Sequence, residues 1–190
     1  MNRAAIGMGV VAALGVTAAL FFAPQKIIAG ETGGITIWEV CTANQGCYTD
    51  GRGETPDWIE LKNTADESVN LAGFTLGDGR EAEKQAPLPE VELEPGECIL
   101  LCASGQEGWN GTNYHLPFRL SSEGELLLLS APDGRVVQLI YIPSMAAEES
   151  YGMTEEGTME KMQTPTPGEA NASTQQGYQA APMGWIEGRR

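Results

Sequence analysis

The sequence predicts an all-β fold, an antiparallel β-sandwich preceded by one N-terminal hydrophobic helix. Three observations lead there. Short runs alternate polar and apolar residues, with the two-residue period of a half-buried strand. Turn signals rich in Gly, Pro and Asp-Gly recur about every ten residues, the spacing of sandwich strands. After residue 30 no stretch carries the apolar period of a convincing amphipathic helix. The 190 residues include 24 Gly and 11 Pro, and 42% are apolar, enough to fill a core without metal or disulfide staples.

The N-terminal segment sets the compartment. Arg3 precedes an uncharged run from Ala4 to Ala23, rich in Ala, Val, Leu and Phe. A basic start followed by an apolar stretch is an export signal, and the length of this one approaches that of a membrane span. Ile27-Ile28-Ala29 is a poor cleavage site, because a small residue is wanted at its first position, and Pro24 breaks the segment where it ends. An uncleaved anchor is therefore favoured over a cleaved signal peptide. With Arg3 inside, the body of the chain faces outward. Residues 1–30 form this anchor and hinge, 34–171 the sandwich, and 172–190 a flexible tail or linker.

Strands are expected over Ile35 to Val40, Asp57 to Lys62, Ser68 to Leu71, Phe74 to Leu76, Glu90 to Leu93, Cys98 to Cys102, Glu125 to Leu129 and Arg135 to Ile142. Asp133-Gly134 is a hairpin signal between the last two. Met145 to Glu149 has room for a single helical turn. On the second strand Ile59 and Leu61 share one face and Trp58 and Glu60 the other. Ile59 and Leu61 are expected inside, and Trp58 either packs or serves as an exposed contact.

Charge narrows the partners. All 26 acidic residues follow Gly30, where nine basic residues leave a balance of −17. Such a body repels nucleic acid and anionic lipid surfaces. No run has the oxygen spacing of a calcium loop.

The chemistry-bearing residues are few. Cys41 and Cys47 are spaced to close a small loop by a disulfide, and either has Cys98 or Cys102 as an alternative partner. Cys98 and Cys102 lie four apart on one strand, too far to bond each other. The remaining reading is unpaired thiols buried as small apolar groups. Zinc binding by the four lacks paired C-x-x-C knuckles. His115 is the one histidine, which rules out a multi-His metal centre and leaves one candidate base with no nucleophile motif beside it. No Walker loop or dinucleotide fingerprint occurs. No catalytic, metal or cofactor residue is assigned and no cofactor is expected. The candidate partner contacts are Tyr48, Trp58, Trp109 and Tyr114, aromatics suited to anchoring a partner, with packing as their alternative role.

Ile35 to Val40, Asp57-Trp58-Ile59-Glu60-Leu61 with Asn63, Leu71 to Asp78, Leu93-Glu94-Pro95-Gly96-Glu97, Phe118 to Glu125, Ser150-Tyr151-Gly152 and Thr164 to Asn171 occur in an order that resembles the bacterial lamin-tail domain family. The resemblance spans Gly34 to Asn171. Met153 departs from it where many relatives carry Arg, and Cys41 to Gly53 lengthens an early loop. The resemblance implies an immunoglobulin-like sandwich and a non-enzymatic role: a membrane-tethered extracellular module for protein interaction or cell-surface structure, with a protein or cell-envelope partner. The alternative is an accessory domain of a larger secreted enzyme such as a CotH-type spore-coat kinase, whose associated domains Asn113 to Glu125 resembles. Neither coiled coil nor dimer face is apparent, so the oligomeric state stays open.

Overall fold

The computed structural model of the chain describes residues 34–79 and 85–171. These carry thirteen strands and no helix: β1 (Ile35–Cys41), β2 (Asp57–Asn63), β3 (Val69–Asn70), β4 (Thr75–Gly77), β5 (Gln85–Pro87), β6 (Glu92–Leu93), β7 (Cys98–Ala103), β8 (Gly108–Asn110), β9 (Asn113–His115), β10 (Glu125–Ser130), β11 (Val136–Ile142), β12 (Ser150–Met153) and β13 (Met159–Met162). The predicted N-terminal helix and the tail lie outside the described residues.

A seven-stranded sheet runs β13-β12-β1-β2-β7-β9-β8, and a four-stranded sheet runs β11-β10-β4-β5. A two-stranded ribbon, β3-β6, completes the set. One apolar core joins the two larger sheets. Ile35, Ile37, Ile59, Leu61 and Leu101 come from the first, and Leu76, Leu127, Leu129, Ile140 and Ile142 from the second. Each such side chain contributes about 1.5–3 kcal/mol on burial. The architecture is thus all-β and of sandwich type, with Ile59 and Leu61 inside.

The alternating segments became the long central strands. The additional strands are short and polar: β5 contains Pro87, β8 begins at Gly108, and β13 carries Glu160 and Lys161. β9 also pairs with β7 in parallel, an exception to the antiparallel pattern. Met145 to Glu149 contains no helical turn. Glu148 sits at a φ of 60°, its amide donates to Ala43 O at 3.1 Å, and its carboxylate accepts from the amide of Gln45, so the segment is spent clasping the β1–β2 loop.

A bulge bends β1. Its pairing with β2 slips between Ile37 and Glu39, which leaves Trp38 as the extra residue. Ile37 N–H turns to the Gln138 side chain on β11 and donates to Oε1 at 2.7 Å, a buried polar rivet between the two sheets.

Candidate functional site

The face of the large sheet turned away from the core is covered. Trp58 and Glu60 lie on it, as strand alternation requires, yet both are 0% exposed. Glu39 stands opposite Glu60 across the β1–β2 pair and is also fully buried. Two buried carboxylates side by side require donors. The segment Thr164 to Asn171 supplies them. Thr166 donates from its amide to Glu39 Oε1 at 3.0 Å and from its hydroxyl to Oε2 at 2.8 Å. Gly168 N–H donates to Glu60 Oε2 at 2.6 Å. Asn171 Nδ2 closes the strap on the carbonyls of Trp38 and Met153, at 3.2 and 2.8 Å.

Burial raises the Glu60 carboxyl above its ordinary range. The Gly168 amide and the Cys98 thiol oppose this, and the charge of Glu39 adds to it. A raised folded-state value means that the folded protein holds the proton more tightly than the unfolded chain. Charged Glu60 therefore subtracts stability above its folded value, and the penalty fades as pH falls towards the ordinary carboxylate range. Glu60→Gln keeps an acceptor for Gly168 and gives Glu39 a donor. Its melting midpoint is expected above that of the parent near neutral pH and equal to it in acid. A lower midpoint at neutral pH would show that the charge itself holds the strap.

The β1–β2 loop covers the other half of this face. Asn44 organises it: Nδ2 donates to Tyr48 O at 2.8 Å and Pro56 O at 2.7 Å, and Oδ1 accepts from Gly46 N at 3.0 Å. Cys41 and Cys47 are free thiols whose sulfurs lie 4.0 Å apart. Burial pushes the Cys41 thiol far up and holds Cys47 above its usual value. It also pushes Cys98 and Cys102 up to about 12. All four therefore stay protonated near neutral pH, unlike nucleophilic cysteines.

The two long loops meet. Asn113 Oδ1 accepts from Gly51 N at 3.0 Å, and its Nδ2 donates to the Tyr48 hydroxyl. Asp50 Oδ1 accepts from the amides of Arg52 and Glu54 at 2.8 and 2.9 Å, and its Oδ2 lies 3.9 Å from His115 Nε2. The opposite ring nitrogen of His115 bonds Ser104 Oγ at 2.8 Å. Ser, His and Asp thus stand in a row, but all three are buried, and Ser104 is 5% exposed. The row ties the two loops together around a buried hydroxyl, whose oxygen also accepts from the Gln106 amide at 3.3 Å. The signal for Asn44 and Asp50 was in the sequence, as Asx residues ahead of loop glycines.

Of the aromatic contact candidates, Trp58 is removed from the surface: Cys41 and Cys102 flank it across the strands and the Cys47 loop lies over it. Tyr48 is half-buried and engaged by Asn113. Tyr114 is buried, its hydroxyl donating to Pro87 O at 3.1 Å. Trp109, on β8 at the end of the sheet, is 56% exposed and braced edge-on by the Tyr114 ring at a centroid distance of 5.5 Å. Near the bulge, Trp38, Met153 and Thr154 line a shallow apolar cleft of about 190 Å³, below the size of ordinary small-molecule pockets. Lys62 Nζ lies 4.0 Å from the centre of the Trp38 ring. Among the described residues no cluster of three His, Cys, Asp or Glu is placed to hold a metal ion, and no helix is long and apolar enough to cross a membrane.

No model of a known protein family and no curated protein matches the chain.

Proposed function

We propose that the chain is a non-catalytic, exported module, tethered by residues 1–30, that binds a protein or cell-envelope partner through the β8–β9 end of its large sheet. The observation that carries this reading is Trp109: a large aromatic, more than half exposed on an edge strand and packed edge-to-face with the Tyr114 ring. Pre-positioned exposed aromatics of this kind are where interfaces concentrate binding energy. A lamin-tail-like, immunoglobulin-like form of the sandwich is part of the proposal. It is supported by the places its motif segments take: Asp57 to Leu61 in β2, Pro95-Gly96 in a turn with Gly96 at a φ of 83°, and Thr164 to Asn171 in the strap. In an oxidising compartment Cys41 and Cys47, whose sulfurs lie 4.0 Å apart in the β1–β2 loop, are then the pair that forms a disulfide.

The test is made in intact cells expressing the full chain with a photo-crosslinking phenylalanine analogue at position 109. Protein digested by protease added to spheroplasts, and crosslinked at 109 but not at exposed Glu94, is the expected result. Protection from external protease, or equal labelling at both positions, would sink it.

A further inference from the structure

The segment between β11 and β12 is a clasp under strain. Glycine aside, Glu148 alone among the described residues has a positive φ, at 60°. A side chain takes this left-handed conformation at a cost and keeps it only where its surroundings hold it. Two grips hold it here. On one side Glu149 ties the segment down. Its carboxylate accepts from the Ala146 amide at 2.9 Å and from Gln163 Nε2 at 3.0 Å, with Lys161 Nζ at 3.7 Å. On the other side the Glu148 amide donates to Ala43 O at 3.1 Å, and its carboxylate accepts from the Gln45 amide.

The loop held by this clasp is the one that carries Cys47. Asn44 Oδ1 accepts from the amides of Gly46 and Tyr48 at 3.0 and 3.3 Å, and from the Cys47 thiol at 3.4 Å. In this state the Cys41 and Cys47 sulfurs stand 4.0 Å apart, about twice the length of a disulfide bond. Cys41 is fully buried in the β1–β2 ladder opposite Trp58, whereas Cys47 is half-buried in the loop, so the approach falls to Cys47. Oxidation also removes the thiol proton that Asn44 accepts. The loop must then shift around Cys47, and the Gln45 amide two residues away is where the clasp holds it.

We propose that the dithiol and the clasp are coupled: closing the Cys41–Cys47 disulfide draws the loop off Glu148, and the segment 145–149 relaxes from its strained conformation. The coupling rests on the disulfide reading above and stands whether or not Trp109 binds a partner. The oxidant is a small disulfide such as oxidised glutathione. Cys47 loses its proton, attacks one sulfur of the reagent and expels one glutathione thiolate, which leaves a mixed disulfide. Cys41, deprotonated in turn, attacks Cys47 Sγ and expels the second. Two protein thiols are oxidised and the reagent is reduced to two thiols. Tyr48 engages Asn113 on β9, so the oxidised loop stays tied to the hairpin that carries Trp109 while it leaves the β11–β12 connection.

Coupling is reciprocal, so loosening the clasp must favour the disulfide. The full chain in detergent is equilibrated with reduced and oxidised glutathione, and the Cys41–Cys47 bond is quantified by alkylation and peptide mass spectrometry. Glu148→Ala, which removes the grip on Gln45, is expected to raise the constant for disulfide formation about tenfold. Glu148→Gln keeps an acceptor in that place and should stay within about twofold of the parent. Hydrogen exchange gives a second readout on the parent itself. The amides of Gln45 and Glu148 should exchange faster in the oxidised protein than in the reduced one, while that of Gly51, bonded to Asn113, stays the same. A parent that forms no Cys41–Cys47 bond at any glutathione ratio overturns both the coupling and the disulfide reading beneath it. A disulfide that forms with the parent's constant in Glu148→Ala, or that leaves Gln45 and Glu148 as protected as before, overturns the coupling alone.

Discussion

Trp58→Ala is expected to remove about 3–5 kcal/mol of stability, the usual range for deleting a fully buried Trp. Domains of this kind hold about 5–15 kcal/mol in all, so the variant should sit near the edge of folding. The side chain has no exposed surface although it points away from the main core. Its cover is the β1–β2 loop, pinned by Asn44 and by Asp57, whose Oδ1 accepts from the Asn44 amide at 3.1 Å. The cavity left by alanine would therefore open beneath a loop held by few bonds, and the loop should loosen with it. Urea unfolding supplies the number, and hydrogen exchange at Cys47 and Tyr48 shows whether the loop follows. Trp58→Phe, which keeps most of the ring volume, should lose much less. A loss from Trp58→Ala of under about 1 kcal/mol, the size of an ordinary surface change, would mean that the residue is not packed as described.

Trp58 also shows where reading the sequence stopped. Alternation along Asp57 to Leu61 fixed which side chains share a face and placed Ile59 and Leu61 inside. It carried no information on what covers the opposite face. That cover comes from an irregular loop and from Thr166 and Gly168, over a hundred residues from the carboxylates they satisfy. Local pattern cannot encode so distant a partner. The same holds for the short strands. β8, β9, β12 and β13 have three or four residues each and too little alternation to separate from turns, and they form because longer strands offer them an edge. On β10 and β11 the apolar runs were legible as strands, but a run apolar on both faces does not say which face meets the core. Among the site candidates, residue type selected Tyr48, Trp58, Trp109 and Tyr114 together, and only burial separates Trp109 from the rest.

Asn63 at the end of β2 provides the second large effect, and its two substitutions should separate by pH. The residue is 0% exposed. Nδ2 donates to Glu67 O at 2.8 Å and Leu93 O at 2.9 Å, and Oδ1 accepts from Ala65 N at 2.9 Å. Its backbone is engaged as well, the amide donating to Glu97 O and the carbonyl accepting from Gly96 N, both at 2.9 Å. One side chain thus ties the end of β2 to the β2–β3 turn and to β6. Asn63→Ala leaves three backbone groups without their partner. Leu93 O is the most deeply buried of these bonds and the least open to water, so a loss of about 3 kcal/mol is expected. Asn63→Asp has nearly the same shape but aims a carboxylate oxygen at two carbonyls. Near neutral pH it should lose at least as much as the alanine variant. The folded state then favours the protonated acid, which raises the folded-state value of the new carboxyl, so the penalty is complete above that value and shrinks as pH falls through it. The protonated oxygen regains one donor, and Asn63→Asp should recover part of its deficit in acid, whereas the deficit of Asn63→Ala relative to the parent stays flat. Urea midpoints of the three proteins across the acid range decide the matter. Parallel curves for the two variants would show that the lost contacts are packing and not the paired donors of Nδ2.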